Sequence, residues 1–451
     1  MPVVDVGLEM TTPVSLIRSV TRWQIVGVSL NGVIGSGVYL LPAAAAALLG
    51  PASLWAVPLA GLAALLLALC FAEAGSHFDE PGAGYLYTRA AFGEFAGFEV
   101  GWMTWLTRVA SGAALWNGLA QAFTFVVPGA AGGALRVAFI TLPLTFFCLI
   151  NILGVKHAAR LEVGLTIVKI LPLLFLIVVG LPALDSSLVF PIPAPDSAEL
   201  GAAASLLLFA YAGFENTAAA AGEFRNPQRD VPFALITVIS VATILYTLVQ
   251  LVALGTLPDL TLRADGSPLA DSAALVVAGW AGLIMTLGAT ISIGGNAGSA
   301  MLVGPRYLYA LARSGFGPQI LARVHARYRT PAWAIATTGV LIGALALSGS
   351  FVQLAMLSVV ARLATYIGTA AAVPVLRRKL GTGEHTIVLP GGATIPVLAL
   401  LVCVAFLASA TGENLVAGLI ALIVGVAVYF LRRKTASLQV LSDAVSESPR
   451  P

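Results

Sequence analysis

The chain has 451 residues, of which 59% are hydrophobic and only 10% charged, with a mean hydropathy of +0.95. A soluble domain carries about 25% charged residues, so this composition excludes a soluble enzyme or binding module and requires a polytopic membrane protein. The net charge of +3 is dispersed over many loops, which leaves the lipid bilayer as the surrounding partner and gives no footing for nucleic acid.

A helix needs about 20 apolar residues to cross the bilayer. In chain order, after an N-terminal segment 1–22, the apolar stretches predict about 12 spans, beginning with 23–48, 52–76, 95–127 and 136–154. They continue with 159–183, 199–222, 232–256, 272–312, 332–349, 352–376, 395–411 and 413–431. The first apolar stretch is too long for a signal-peptide core, so no cleavable leader is read. The stretches 95–127 and 272–312 exceed one simple crossing, and so either tilt or run on into a loop helix. The last two are separated only by Thr411-Gly412-Glu413. The tail from Thr435 is Ser-rich and weakly apolar, and reads as disordered.

Two of these spans are interrupted in their middles, the first by Val33-Ile34-Gly35-Ser36-Gly37-Val38 and the sixth by Gly213-Phe214-Glu215. Glycine weakens a helix, and lipid offers no water to replace lost backbone hydrogen bonds. Broken membrane helices therefore persist only where the freed N–H and C=O groups face a protected cavity. Breaks at corresponding places in two halves of a chain point to a carrier's binding site. Five helices (23–183) followed by five more in inverted orientation (199–376) match this spacing. Residues 395–431 then form two peripheral helices and 432–451 a tail.

Lys and Arg set orientation. One set of loops carries Arg18 and Arg22, Arg89, Lys156 and Arg160, Arg225 and Arg229, Arg313 to Arg329, Arg377 to Lys379, and Arg432 to Lys434. The alternate loops carry Arg263, with Arg136 at a border. The rich side is cytoplasmic, which puts both termini inside and the loops 184–198 and 257–271 outside. Cys70, Cys148 and Cys403 lie in apolar stretches without metal-ligand spacing, and the histidines fall in or beside loops. No metal site, cofactor or nucleophile constellation is read, so the chain is not an enzyme.

A free amino acid presents a carboxylate and an ammonium that a dry site must both satisfy. The start of the outer half of the first helix offers unpaired N–H groups and a positive dipole end. Gly35, Ser36 and Gly37 are placed to cradle a carboxylate there, and the carbonyls near Val33 and Ile34 are placed to accept from the ammonium. Close helix packing through small residues is the alternative for the glycines. Lys169, well inside the fifth span, is a functional residue by its depth. Arg108 and Arg362 are also intramembrane and need partners, for which Glu215 and Glu73 are available. Either arginine facing the site unpaired would favour an anionic substrate. Asn296 and Ser299 on the eighth span either line the site or bond between helices.

The stretches GVIGSGVYLLP (32–42), FAEAGSHFDEPGAGYLYTRAAFG (71–93), LLLFAYAGFENTAAAAGEFRNPQRDVP (206–232) and PRYLYALARSGFGP (305–318) resemble bacterial amino acid permeases of the amino acid–polyamine–organocation superfamily. The resemblance runs from about Arg22 to Arg433. It implies a leucine-transporter-type fold of two inverted five-helix repeats with helices 1 and 6 broken, working by alternating access in the cytoplasmic membrane. It further implies ammonium-binding carbonyls on Phe209 and Ala212 beside Gly213, with Phe209 as an aromatic gate. It also implies that Lys169 stands where sodium-coupled relatives hold sodium between helices 1, 5 and 8. That lysine either carries a coupling proton or remains a fixed charge. The expected activity is secondary amino acid transport, as a proton symporter or an exchanger, with a non-transporting sensor as the third reading. A possible gating role falls to Glu223, Arg225, Asn226 and Arg229.

Overall fold

The structure, a computed structural model, describes residues 21–78, 83–153, 158–215, 217, 226–381, 383 and 386–446. Among these residues there are helices and connecting turns and no strand, as lipid demands of a chain without a closed barrel. The first span is two helices, α1 (Arg22–Val33) and α2 (Ser36–Leu49), and a short 3-10 turn joins α2 to α3 (Ser53–Ser76). Then come α4 (Ala83–Phe92), α5 (Glu94–Ala122), α6 (Gly133–Leu153), α7 (Ala158–Gly180) and α8 (Ser197–Tyr211). The second half holds α9 (Pro227–Thr256), α10 (Pro268–Val276), α11 (Gly279–Arg313), α12 (Ala332–Ser348) and α13 (Phe351–Leu380). Two final helices follow, α14 (Thr394–Ala408) and α15 (Gly412–Ser446).

Local chemistry sets several of these ends. Asp196 caps α8, accepting from the N–H groups of Ala198 at 2.8 Å and Glu199 at 3.2 Å. Ser350 and Gln353 form a capping box at the start of α13. Each such cap stabilises its helix by about 1 kcal/mol.

Five helical stretches among the described residues are long and apolar enough to cross a membrane: Ser36–Ser76, Gly133–Leu153, Arg229–Thr256, Phe351–Leu380 and Gly412–Arg432. Only 11% of the apolar window of α6 and 17% of that of α15 is buried within the protein, against 67% for α13. The first two therefore stand at the perimeter with Leu142, Phe146, Leu419 and Ile423 turned outward, while α13 is central. α5 packs along both α13 and α11, α8 lies against α2 and α3, and α9 against α1 and α3. Alanines permit the closest of these approaches: Ala43 to Ala46 on α2 and Ala56, Ala60, Ala63 and Ala64 on α3 are all buried.

Three features differ from the sequence expectation. The stretch 272–312 is two helices, because Val276-Val277 and Gly279 combine a β-branched pair with a helix breaker. A short helix, α4, occupies part of the loop after α3. It ends at Gly93, whose φ of +93° favours glycine. The tail is helical to Ser446 rather than disordered from Thr435. Leu438, Leu441 and Val445 recur at helical spacing there, a pattern that the serines obscure.

Candidate functional site

The break in the first span leaves Ile34 and Gly35 between α1 and α2, with Gly35 at the N-cap of α2 and no side chain capping it. The first turn of α2 thus keeps its N–H groups for another acceptor. Ser36 Oγ is buried and has no hydrogen-bond partner among the described residues. The sixth span breaks after α8, where Ala212, Gly213 and Phe214 form a turn. Gly213 has φ +121°, and a Cβ there would sit 2.5 Å from the Gly32 carbonyl oxygen. The two breaks therefore meet backbone to backbone, which only glycine permits.

These breaks face one cavity of about 90 Å³, lined in part by Val33, Gly35, Ser36, Gly37, Phe209, Ala212 and Gly213. Such a volume holds several waters, since one needs about 10–15 Å³ by this measure. Asn296 and Ser299 of α11, Ser111 of α5, Arg108 and Arg362 complete the relevant wall. Phe209 lines the cavity and packs edge-on against Phe351 at the start of α13, with ring centroids 5.9 Å apart.

Ile34 is fully buried outside the lining, and its carbonyl points to Ser292 Oγ, 3.5 Å away on α11. Gly37 does line the cavity, but its missing side chain also makes room for α8: a Cβ would lie 2.5 Å from both Cα and Cβ of Ala210. The helix-packing alternative thus holds for Gly37 alongside its place in the site.

Tyr246 of α9 was not singled out by sequence. Its hydroxyl is 3.1 Å from the carbonyls of both Val33 and Ala210, one on each broken helix. A buried tyrosine hydroxyl usually finds a hydrogen-bond partner, and that was the available signal. The Phe209 carbonyl accepts the Ala212 N–H at 3.2 Å.

Arg362, Glu215 and Arg108 form a buried charge cluster. Arg362 donates to Glu215 and, at 3.1 Å, to Ser111 Oγ. Arg108 Nη2 lies 3.8 Å from the same Glu215 oxygen. The Gly213 N–H donates to the other carboxylate oxygen at 2.9 Å, which ties the cluster to the break. Glu215 is off the lining of the main cavity and faces a second, smaller one with Thr104, Thr107, Thr365 and Tyr366. Along α5 the order is Thr104 and Thr107, then Arg108, then Ser111; along the antiparallel α13 it is Tyr366 and Thr365, then Arg362. The charge cluster is thus a layer between the two cavities. Glu73 is not part of it. Fully buried on α3, it accepts from Arg377, from a nitrogen of that guanidinium at 2.6 Å and from the Leu389 N–H at 3.0 Å.

Lys169 is buried on α7 outside the cavity lining, and its ammonium donates to the Asn31 carbonyl at 2.5 Å. That carbonyl belongs to the last turn of α1, whose C=O groups lack helical partners. α7 also packs against α11. The Lys169 carbonyl accepts from Tyr39 of α2 at 2.6 Å. Of the expected gating residues, Glu223 and Arg225 lie outside the described residues. Asn226 precedes α9, and Arg229 stands in its first turn. The neighbouring Asp230 pairs with Arg22 at the start of α1, at 2.9 Å.

The chain matches the amino acid permease family over residues 20–431. It belongs to that family. Among its relatives is the branched-chain amino acid permease BcaP of Bacillus subtilis (strain 168), 29% identical over 439 residues, covering 92% of this chain and 93% of the relative. The methylthioribose transporter of the same organism is 29% identical and covers 94% of this permease and 95% of the relative. Cationic amino acid transporter 4 of Mus musculus is 30% identical over 396 residues, covering 82% of this chain and 61% of the relative. The permease is a multi-pass membrane protein of the amino acid–polyamine–organocation superfamily. The named cargoes of its relatives differ in charge and chemistry, so selectivity has to be sought in its own cavity.

Proposed function

We propose that this permease is a secondary carrier that moves amino acids across the cytoplasmic membrane by alternating access, with both termini inside. Twelve spans arranged as repeats 23–183 and 199–376, plus the peripheral pair 395–431, accommodate the helix order given above. The observation that carries the reading is the cavity at two touching helix breaks, where Ser36 presents a buried, unpartnered hydroxyl beside a helix N-terminus. The substrate carboxylate binds that N-terminus and Ser36, as an anion favours unpaired N–H groups and the positive dipole end. The ammonium binds carbonyls at the breaks. Phe209 closes the outer side, and the Arg108–Glu215–Arg362 layer closes the cytoplasmic side.

Lys169 takes the place of a sodium ion by bonding the free end of α1, so transport is sodium-independent, and its proton is the coupling ion. Exchange is the second reading. It is favoured by the Asn31 carbonyl, which stabilises a permanently charged ammonium. Uptake of labelled amino acids into proteoliposomes, with and without an inward proton gradient, tests the function. Gradient-driven accumulation supports symport, uptake only against internal amino acid supports exchange, and binding without uptake would leave a sensor. Single cysteines at positions 190 and 265, labelled from outside intact cells, test the orientation.

A further inference from the structure

We infer that a groove between α5, α13 and α15 holds a membrane phospholipid with a primary ammonium headgroup. The groove has a volume of about 540 Å³, against about 90 Å³ for the cavity at the breaks, and the two share no lining residue. It runs along α5 from Phe95 to Met103 and along α13 from Ala371 to Val360, with Leu415 to Leu422 of α15 as its third wall. Phe92, Phe95, Leu415 and Leu419 on this lining are exposed, so the groove opens toward lipid. An apolar trough of this size in a membrane protein is filled by an acyl chain rather than by water.

Of the lining side chains, only Thr88 and Glu99 are polar. Both carboxylate oxygens of Glu99 and the Thr88 hydroxyl are buried and have no hydrogen-bond partner among the described residues. Thr88 itself is 2% exposed. A Cβ on Gly368 of α13 would lie 3.0 Å from Thr88 Oγ1 and 2.7 Å from Val100, which puts Thr88 and Glu99 at the same end of the groove. The carboxylate lies against Gly425 of α15, and the neighbouring Trp102 spends its indole N–H on the Ala421 carbonyl at 2.9 Å. Glu99 stands five residues into α5, about 7.5 Å from the helix start, where headgroups give way to chains.

Buried polar groups are almost always hydrogen-bonded, and an ionised carboxylate can only accept. These three acceptors therefore call for donors from outside the chain. A primary ammonium brings three donors and the opposite charge. A quaternary ammonium brings no N–H donor, and an anionic headgroup is repelled.

Native mass spectrometry of the full-length protein in detergent, titrated with phosphatidylethanolamine, phosphatidylcholine and phosphatidylglycerol of the same acyl chains, tests this. Phosphatidylethanolamine is expected to bind at least about ten-fold more tightly than either of the others. Glu99→Gln should bring the three within about three-fold, and Ala364→Leu, which fills the groove, should remove the tightest site. Phosphatidylglycerol or phosphatidylcholine binding as tightly as phosphatidylethanolamine overturns the inference, as does a preference that survives Glu99→Gln. Unchanged binding in Ala364→Leu places the lipid elsewhere and also overturns it. Should either variant fail to fold, the lipid ranking of the unmodified protein decides.

Discussion

Glu215→Gln isolates the electrostatic role of the charge layer, because the amide keeps nearly the size of the acid and one oxygen for the Gly213 N–H, yet removes the charge. Arg362 and Arg108 then both lose the carboxylate they share. Arg108 alone, at 3.8 Å from Glu215, loses an attraction of about 4 kcal/mol at an effective dielectric constant of 20. Removing one partner of a buried ion pair costs about 3–5 kcal/mol in practice. Native proteins hold only about 5–15 kcal/mol in reserve, so the variant should be markedly less stable. With about 2 °C per kcal/mol for a chain of this size, the melting temperature should fall by about 5–10 °C. Fluorescence-detected size exclusion after a heating series measures this without assuming two-state unfolding. Arg108→Gln combined with Glu215→Gln should recover part of the loss, because it removes one of two like charges that the acid no longer separates. A melting temperature within about 1 °C of the unmodified protein for Glu215→Gln, or no recovery in the double variant, would refute the account of this cluster.

Ser36→Ala should lower substrate affinity about ten-fold or more, the effect of losing a hydrogen bond to a charged group, while thermal stability stays put because the hydroxyl has no partner in the described protein; unchanged affinity by titration would remove Ser36 from the site. Lys169→Ala should abolish gradient-driven accumulation in proteoliposomes and spare exchange, and a sodium requirement in the unmodified protein would show that the lysine does not stand in for that ion. Gly37→Ala places a methyl 2.5 Å from Ala210, so α2 and α8 must separate at a cost of about 1–3 kcal/mol. Both affinity and melting temperature should fall, and a loss of affinity with full stability would mean that Gly37 serves the ligand alone.

The positions of both helix breaks were legible because glycine within an apolar run is a local signal. The partners of the buried charges were not legible to the same degree. Glu73 and Glu215 were equally available to Arg108 and Arg362 in sequence, and the choice depends on how α3, α5 and α13 are rotated about their own axes. A span's length and hydropathy say nothing of that rotation. Arg377 shows the same gap: it reads as one of a basic trio beyond the tenth span, yet it stays within α13 and neutralises Glu73. Gly37 shows a different one, for a residue without a side chain can serve a ligand and a neighbouring helix at once, and only the position of Ala210 reveals both.

Hydropathy also understates this architecture for a physical reason tied to function. α5, with 29 residues, and α11, with 35, are longer than several of the strongly apolar stretches, yet neither is among them. These helices supply Arg108, Ser111, Asn296 and Ser299 to the cavity wall. A helix surrounded by protein is free of the requirement to be apolar toward lipid on every face, and so can carry the groups that bind a charged solute. α6 and α15, at the perimeter, meet the apolar criterion and contribute nothing to the cavity lining. α13 does both: it passes on its apolar length and still inserts Arg362, because Glu215 pairs with that guanidinium and Ser111 accepts from it. In a carrier of this kind, the central helices whose apolar runs are diluted or interrupted are where transport residues should be sought first.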